Sequence, residues 1–556
     1  MKRNIFLIEK NMKKGINFIA AAFMGAAAVA CSSPAKMAEM AENVKVSSDP
    51  EVLEVVAGNI DANVTVTYPA DYFHPKAILE VTPVLVYDGG EAEFHPYMFQ
   101  GEKVKDNYTV ISSKGQTVTR PVRFEYVEGM ENAHLELRGA VSYKGKTYEL
   151  PVKKVAVGCN TTYMLAETRG KVSLKADNYQ EVIAQSAEGQ IMYGINSADV
   201  ANKQLKSQSI KDFQEALDAI KANDRMTIKN TEVIAYASPD GGEKLNSKLS
   251  DKRSKTGEKA FEKVVKGKDI EAPEVKSVGQ DWEGFQELVA KSDIQDKDLI
   301  IRVLSMYSDP AVRESEIKNI SEVYTSLKGS VLPALRRARF VANVEFQNYS
   351  SDELLELVEK NSDVLDEPAL LRSATLVKDL SSKVSLYKKA ISKFDSDVAR
   401  FNLGATYLNA GKTADAKAAL ASVKTKDADL TNALGVVALQ EGNLEEAAKL
   451  FAKAGTEDSV ENAAVVDILN GNYSAAAQKL DGKTGFNAAL AQLLNNNLGK
   501  AEKALTCSCP RSSYLRAVIA ARKGDAEGVA ENIEKATKLN SLAARYANDI
   551  EFAEYR

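Results

Sequence analysis

Residues 434–454 read LGVVALQEGNLEEAAKLFAKA, and this stretch decides the fold predicted for the C-terminal part of the chain. An apolar segment with helical spacing ends at Gly442, and a second segment follows it with alanines and Phe451 on one face. A unit this short cannot bury its own apolar face and must stack on its neighbours. We therefore predict an α-helical solenoid over residues 350–556. The matching turns, 25 to 31 residues apart, lie at Gly411, Gly442, Gly471, Asn496 and Gly524.

Small side chains mark the places where paired helices are expected to cross. Gly404 and Gly435 let the partner helix approach closely, because they carry no side chain. Ala416 and Ala447 fill the crossing without separating the helices. The predicted packing residues of the repeats are Gly404, Tyr407, Ala416, Gly435, Ala447 and Phe451.

This arrangement resembles the tetratricopeptide repeat family over about residues 375–545. The repeat is shorter than the family's unit of about 34 residues, which implies shortened helices or irregular stacking. The resemblance implies that the solenoid docks a protein partner on its concave face. A solenoid that serves only as a spacer is the alternative.

The N-terminus has the pattern of an export signal. Lys13 and Lys14 precede an apolar run of 16 residues over positions 15–30. This run is short for a membrane span, which needs about 20 residues. Residues 1–30 are therefore predicted to be a signal peptide, and residues 31–49 a linker.

The small residues before Cys31 resemble the lipobox of bacterial lipoproteins. The resemblance implies cleavage before Cys31 and acylation of its thiol and of the new amino group. Each buried methylene group contributes about 0.8 kcal/mol, so several acyl chains would hold the protein firmly. We expect a lipid-anchored protein of the outer membrane that faces the periplasm. An ordinary signal peptide with an incidental cysteine is the alternative.

The composition narrows the classes of function. The 556 residues carry 72 Lys and Arg against 77 Asp and Glu, and this net charge of −5 argues against a nucleic-acid partner. Three histidines and four cysteines make a metal site of imidazoles or of four thiolates improbable. We find no Gly-x-Ser-x-Gly or His-Glu-x-x-His motif and no histidine after His134. We therefore predict neither catalytic residues nor a cofactor.

Three cysteines remain if Cys31 is acylated. An envelope compartment permits disulfides, but a bond between Cys507 and Cys509 would close a small, strained ring. We favour packing thiols near a turn for this pair and leave the state of Cys159 open.

Residues 50–165 have the pattern of strands. Val64, Val66 and Tyr68 alternate with polar residues, and glycine turns separate several such runs. This pattern predicts a small, immunoglobulin-like β-sandwich.

Residues 188–348 alternate between strand and helix patterns. The segments 191–195 and 227–236 predict strands, and a helix is expected after the turn at residues 238–242. The stretch 267–335 is longer than a compact domain needs and is interpreted as an insertion. It contains Trp282, which is expected to pack in a core rather than to hold a ligand.

The sequence YASPDGG at residues 236–242, followed by Asn246 and by LSDKR at residues 249–253, resembles the OmpA-like domain. The resemblance implies peptidoglycan binding, in which Arg253 holds a carboxylate of the stem peptide. The family's aspartate falls on Ser238, which carries no charge. Asp240 either compensates for this or only stabilises the turn. Asn246 either contacts the ligand or anchors the helix.

The fold class predicted for the whole chain is multidomain α+β, with a β-sandwich, a central OmpA-like domain and a helical solenoid. The first functional hypothesis is a scaffold that couples the outer membrane to peptidoglycan and to a protein partner. The alternative is an accessory subunit of an outer-membrane assembly or secretion complex. Its central domain would contact a protein such as an outer-membrane β-barrel.

Overall fold

The computed structural model describes residues 34–294, 297–319 and 321–556. The predicted signal peptide and the predicted lipidation site at Cys31 lie outside these residues. The chain divides into two compact units. One comprises the described residues up to Ala176 together with Asp379–Arg556, and the other comprises Asp177–Lys378.

The N-terminal part of the first unit is rich in β-structure, as predicted. Along the strand Asn59–Tyr68, buried residues alternate with more exposed ones, and the strand pairs over its whole length with Gln116–Glu125. Apolar side chains of these two strands face those of three further strands, Ile78–Tyr87, Tyr97–Gly101 and His134–Tyr143. The strands are β1 Lys45–Asp49, β2 Val52–Val56, β3 Asn59–Tyr68, β4 Ile78–Tyr87, β5 Gly90–Glu93, β6 Tyr97–Gly101, β7 Thr109–Ile111, β8 Gln116–Glu125, β9 His134–Tyr143, β10 Lys146–Glu149 and β11 Lys153–Asn160. A short helix, α1 Pro34–Glu39, precedes them.

The strand order is β1-β3-β2-β11-β9-β4-β6-β7, with β8 on β3, β10 on β9 and β5 on β4. Most pairs are antiparallel, but β2 runs parallel to β11 and β6 runs parallel to β7. After β11 the chain makes a short helical turn over Thr162–Leu165 and continues without regular secondary structure. We call residues 166–176 the strap.

The central unit is built on a four-stranded sheet. Its elements are β12 Val182–Met192, α2 Gln208–Lys221, β13 Met226–Ala237, α3 Glu243–Val264, β14 Glu274–Gln280, α4 Trp282–Lys291, α5 Lys297–Met306, α6 Pro310–Asn319, α7 Ser321–Ser330, β15 Arg337–Gln347, α8 Ser351–Lys360 and α9 Glu367–Leu376. The strand order is β12-β15-β13-β14, and only β13 and β14 are parallel. Phe213 of α2, Phe261 of α3 and Phe340 of β15 form the centre of its core.

Three boundaries of the central unit differ from the predicted ones, and the first is its start, which lies at Asp177 rather than at residue 188. The stretch 267–335 contains β14, which is a strand of the sheet, so only α4–α7 are additions to the sheet and its two helices. These four helices have a core of their own around Phe285. The unit also extends to Lys378 and so includes α8 and α9, which the sequence analysis assigned to the solenoid.

The C-terminal helical repeats are confirmed by a series of helices in antiparallel pairs. They are α10 Leu380–Phe394, α11 Asp397–Asn409, α12 Thr413–Ala421, α13 Ala428–Gln440, α14 Leu444–Ala454, α15 Glu457–Leu469, α16 Tyr473–Lys479, α17 Phe486–Leu494, α18 Leu498–Ala504, α19 Pro510–Lys523, α20 Ala526–Ala536 and α21 Asn540–Asn548. Several begin at a side chain that accepts a hydrogen bond from the first turn. These caps are Asp379, Ser396, Asp427, Asn443 and Thr456.

The β-rich part and the later repeats share one hydrophobic core, which runs from Leu53 and Tyr163 to Tyr514 and Phe552. A buried polar contact accompanies it, because Asn160 and Thr162 both donate to Glu551 near the C-terminus, at 2.8 and 2.9 Å. The two parts therefore form one structural body.

No helix among residues 34–294, 297–319 and 321–556 is long and apolar enough to cross a membrane.

Candidate functional site

Two groups of buried polar side chains are candidate sites, and the first surrounds the end of β13. Here Ser238 donates a hydrogen bond to Asp240. Arg336 reaches both, with Nε 3.3 Å from Ser238 Oγ and Nη2 3.2 Å from Asp240 Oδ2. The Asp240 carboxylate therefore already has a hydroxyl and a guanidinium as partners. We call Ser238, Asp240, Asn246, Arg253 and Arg336 the turn cluster.

Arg253 is fully enclosed, with 0% of its surface exposed. Its three nitrogens donate to main-chain carbonyls: Nε to Ser197 at 2.9 Å, Nη1 to Tyr236 at 2.9 Å and Nη2 to Gly194 at 3.1 Å. The guanidinium carbon lies 5.0 Å from the centre of the Tyr193 ring. Burial lowers the pKa of Arg253 to about 10. In this conformation Arg253 fixes loops of its own domain and presents no surface to a carboxylate from outside.

Asn246 also bonds to main-chain carbonyls of its own domain. Its Nδ2 donates to the carbonyls of Ser238 and Gly241, at 2.9 and 2.6 Å, and the residue is 4% exposed. These bonds tie the first turn of α3 to the turn that precedes it. The structure thus brings together the four residues predicted to bind peptidoglycan, and each has partners within the domain.

Two arginines at the start of β15 complete this region. Arg336 belongs to the turn cluster, and Arg337 pairs with buried Asp281 at 2.9 Å. Asp281 also caps α4 by accepting from the Gly284 N–H at 2.9 Å. Nothing in the spacing of these two arginines along the sequence reveals which loop they contact.

Trp282 packs against Phe285, with ring centres 5.7 Å apart, and donates from Nε1 to Gln280 at 3.0 Å. It is a contact between α4 and the end of β14.

The second group is a row of asparagines on the repeats. Asn402, Asn432, Asn462 and Asn487 lie on α11, α13, α15 and α17, the first helix of four successive pairs. Their spacings of 30, 30 and 25 residues follow the repeat. We call these four residues the asparagine row.

Three members of the row each hold one strap residue by both its main-chain groups. Asn402 accepts from the Lys175 N–H at 2.8 Å and donates to its carbonyl at 3.0 Å. Asn462 does the same for Lys171, at 2.7 and 2.9 Å. The third pair is Asn487 with Glu167, at 2.8 Å in both directions. These contacts fall on every fourth residue of the strap.

Asn432 is the exception in the row. It donates to the Lys171 carbonyl at 3.0 Å, and its Oδ1 accepts from Asn462 at 2.9 Å. It therefore supports the contact that Asn462 makes.

Charged groups add to these contacts. Lys171 Nζ lies 3.0 Å from Glu461 and 3.4 Å from Asp458, and the hydrogen bond to Glu461 raises the pKa of Lys171. Burial is the largest single influence on Asp427 and opposes its ionisation. The hydrogen bonds from Lys175 and from the Leu430 N–H, together with the charge of Lys175, outweigh burial and hold the pKa of Asp427 below its usual value.

Gly170 explains why the strap can lie this close to the repeats. Its φ of +73° belongs to a conformation that residues with side chains rarely adopt. A Cβ atom there would lie 2.6 Å from Cγ1 of Val436. Both the backbone and the space require glycine at this position.

A hollow of about 680 Å³ remains between the first half of the strap and the repeats. Its lining is mostly polar, and the polar groups already bond to one another. Gln440, for example, donates to the Arg169 carbonyl at 2.6 Å and accepts from Thr413 at 2.7 Å. Arg511 pairs with Glu167 at 2.9 Å.

The predicted packing residues lie between paired helices. A Cβ on Gly404 would be 2.5 Å from Leu420, and one on Gly435 would be 2.5 Å from Phe451. Of the remaining predicted residues, Ala416, Ala447 and Phe451 are buried and Tyr407 is half-buried.

Sequence reasoning missed both the asparagine row and the strap. The row has a usable signal, because its members recur with the repeat. The strap has none, since its residues show neither helical nor strand periodicity.

No group of metal-binding side chains occurs within the part of the chain that the structure describes.

No protein-family model matches the chain, and a search of curated proteins finds no similar sequence. Among solved structures, a tetratricopeptide repeat protein from Parabacteroides merdae is 14% identical, with a TM-score of 0.29, over 36% of this chain and 91% of that one. The APC/C hetero-tetramer Cut9-Hcn1 matches at 16% identity and a TM-score of 0.28, over 61% and 67% of the two chains. Salmonella alpha-2-macroglobulin reacted with methylamine matches at 11% identity and a TM-score of 0.13, over 82% and 27%. At these TM-scores the repeat architecture rests on the helix pairs described above.

Proposed function

We propose that the chain is a protein-interaction scaffold, held at the outer membrane by an acylated Cys31, whose central OmpA-like unit contacts protein rather than peptidoglycan. The observation that carries the proposal is the enclosure of Arg253, whose nitrogens are all bonded to main-chain carbonyls of its own domain. A ligand carboxylate would have to displace these bonds and open a buried site. Ser238 is neutral and stands where the resemblance expects an aspartate, which also argues against peptidoglycan binding.

The repeats supply the surface for a protein partner. The strap already occupies the hydrogen-bonding groups of the asparagine row. A partner of the intact chain would therefore contact the outer side of the strap and the remaining surface of the helices. Two exposed residues of the strap, Ser173 and Leu174, form part of that outer side. Crosslinking in cells followed by identification of the captured protein tests this part, and a monodisperse monomer in mild detergent extracts would contradict it.

The first hypothesis of the sequence analysis, coupling to the cell wall, draws support from the placement of Ser238, Asp240, Asn246 and Arg253 around one strand end. Sedimentation with purified sacculi separates the two functions. The chain with Cys31→Ser is expected to stay in the supernatant. If it pellets with the sacculi and free stem peptide releases it, the central unit is a wall-binding domain and the proposal fails.

The membrane anchor has its own test, because it depends on the lipobox resemblance alone. Cells that express the chain are grown with labelled palmitate, and the chain is then isolated. The label is expected on the parent and not on the Cys31→Ser variant. Equal labelling, or none on the parent, would contradict the anchor.

A further inference from the structure

Two cysteines in the loop between α18 and α19 differ from the third described cysteine in their exposure to solvent. Cys507 and Cys509 are exposed and are therefore not the packing thiols predicted from the sequence, whereas Cys159 is buried. Burial raises the pKa of Cys159 to about 12, so this thiol is inert near neutral pH. The chain therefore holds an accessible pair and a buried control.

The pair is held together by its own hydrogen bonds. The Cys509 N–H donates to Cys507 Sγ at 3.1 Å, which places the first sulfur against the backbone of the second residue. Cys509 Sγ lies 3.4 Å from the hydroxyl of buried Ser512. The two sulfurs are thus held within one short turn.

Cys509 also occupies the N-cap of α19, a helix of 14 residues. The partial positive charge at a helix N-terminus stabilises a thiolate there. Hydrogen bonds from Cys507 and from Ser512 lower the pKa of Cys509 to about 7. A substantial fraction of Cys509 is then a nucleophile at neutral pH.

We propose that Cys507 and Cys509 form a redox-active dithiol that exchanges with organic disulfides. The thiolate of Cys509 attacks one sulfur of the disulfide, forms a mixed disulfide and releases the other sulfur as a thiolate. Cys507 then gives up its proton and attacks Cys509 Sγ. The products are the Cys507–Cys509 disulfide and the second thiol of the substrate, so two protein thiols are oxidised and one disulfide is reduced.

The spacing of the two cysteines determines how easily the oxidised pair can be reduced again. A disulfide across one intervening residue closes a small ring, and strained disulfides are the reducible and catalytic ones rather than structural ties. The reverse reaction would pass the disulfide to another dithiol. The site is therefore suited to transient exchange.

The test uses the full chain with Cys31→Ser, which leaves three cysteines, and the aromatic disulfide dithiobis(nitrobenzoate). We expect the native chain to release two nitrothiobenzoate ions and to keep no adduct. The Cys507→Ser variant should release one ion and keep the adduct on Cys509, because the resolving thiol is gone. The Cys509→Ser variant should react several-fold more slowly, because its remaining thiol lacks the contact with Ser512 and the helix N-terminus.

The controls separate exchange from ordinary exposed thiols. Cys159→Ser should behave as the parent, and circular dichroism checks that all variants are folded. If the parent keeps two adducts, or if Cys507→Ser and Cys509→Ser react at equal rates, the proposal is wrong. The assay runs in solution on the isolated chain, so its outcome is independent of the proposed scaffold role.

Discussion

The turn cluster and the asparagine row both hold main-chain groups of this chain by hydrogen bonds, but they do so with different side chains. Each binds main-chain carbonyls, but Arg253 does so with a fully enclosed charge that is bonded to the loop at Gly194 and Ser197 and to the end of β13. The row does so with neutral amides, and the strap it holds has an outer side open to solvent. A buried charge that loses its partners is costly, whereas one amide among several contributes a modest share. The comparison predicts that single substitutions damage the central unit more than they damage the strap.

The largest effect is expected for Arg253→Ala. Three main-chain carbonyls would lose their donor, and only that of Tyr236 belongs to a buried residue. A hydrogen bond to a charged group contributes about 1.5 kcal/mol or more, so the central unit should lose about 3 kcal/mol of stability. Urea unfolding of the full chain measures this, with exposed Lys252→Ala as the neighbouring control. A variant as stable as the parent would mean that Arg253 is free for a ligand.

Gly170→Ala should have the next largest effect on stability, because it adds a methyl group where the strap lies closest to the repeats. The added methyl group would meet Val436, and the left-handed backbone adds strain. We expect a loss of about 2 kcal/mol in the first unit. Gly145→Ala is the matched control, since Gly145 has φ +74° and a Cβ added there would have nothing within 4 Å. If the two variants lose equal stability, the strap does not lie against α13 as described.

A smaller difference should separate two members of the asparagine row. Asn462→Ala removes both main-chain bonds to Lys171, whereas Asn432→Ala removes one bond to the same carbonyl. Both variants also lose the hydrogen bond between the two asparagines. We expect losses of about 2 and about 1 kcal/mol. Hydrogen exchange at the Lys171 amide reports this directly and should accelerate in Asn462→Ala alone. Acceleration in both variants would show that the row acts as a unit.

The two regions also differ in how far the sequence anticipates them. The repeats follow from small residues and turns that recur every 25 to 31 residues, and the strands around Val64 follow from alternation. Position along the chain indicated that Ser238, Asn246 and Arg253 lie near one another. It could not indicate that Arg253 is enclosed, because enclosure depends on loops at Gly194 and Ser197 whose path has no periodic signal. The strap could not be predicted for the same reason, since its conformation depends on the repeats that it contacts.

The smallest expected effect concerns the charge that the strap places near Asp427. The pKa of this carboxyl is lowered in the folded chain, so its contribution is present above its unfolded pKa of about 4 and is lost as the pH falls through the folded value. Asp427→Asn keeps a side chain that can cap α13 but removes the charge. We expect the variant to be less stable than the parent by under about 1 kcal/mol at neutral pH, because the contact with Lys175 is partly exposed. The two unfolding curves should converge only below the folded pKa of Asp427, which lies under its usual value of about 4, because the parent's carboxylate is then protonated as well. A constant difference across this range would assign the effect to the cap and not to the ion pair.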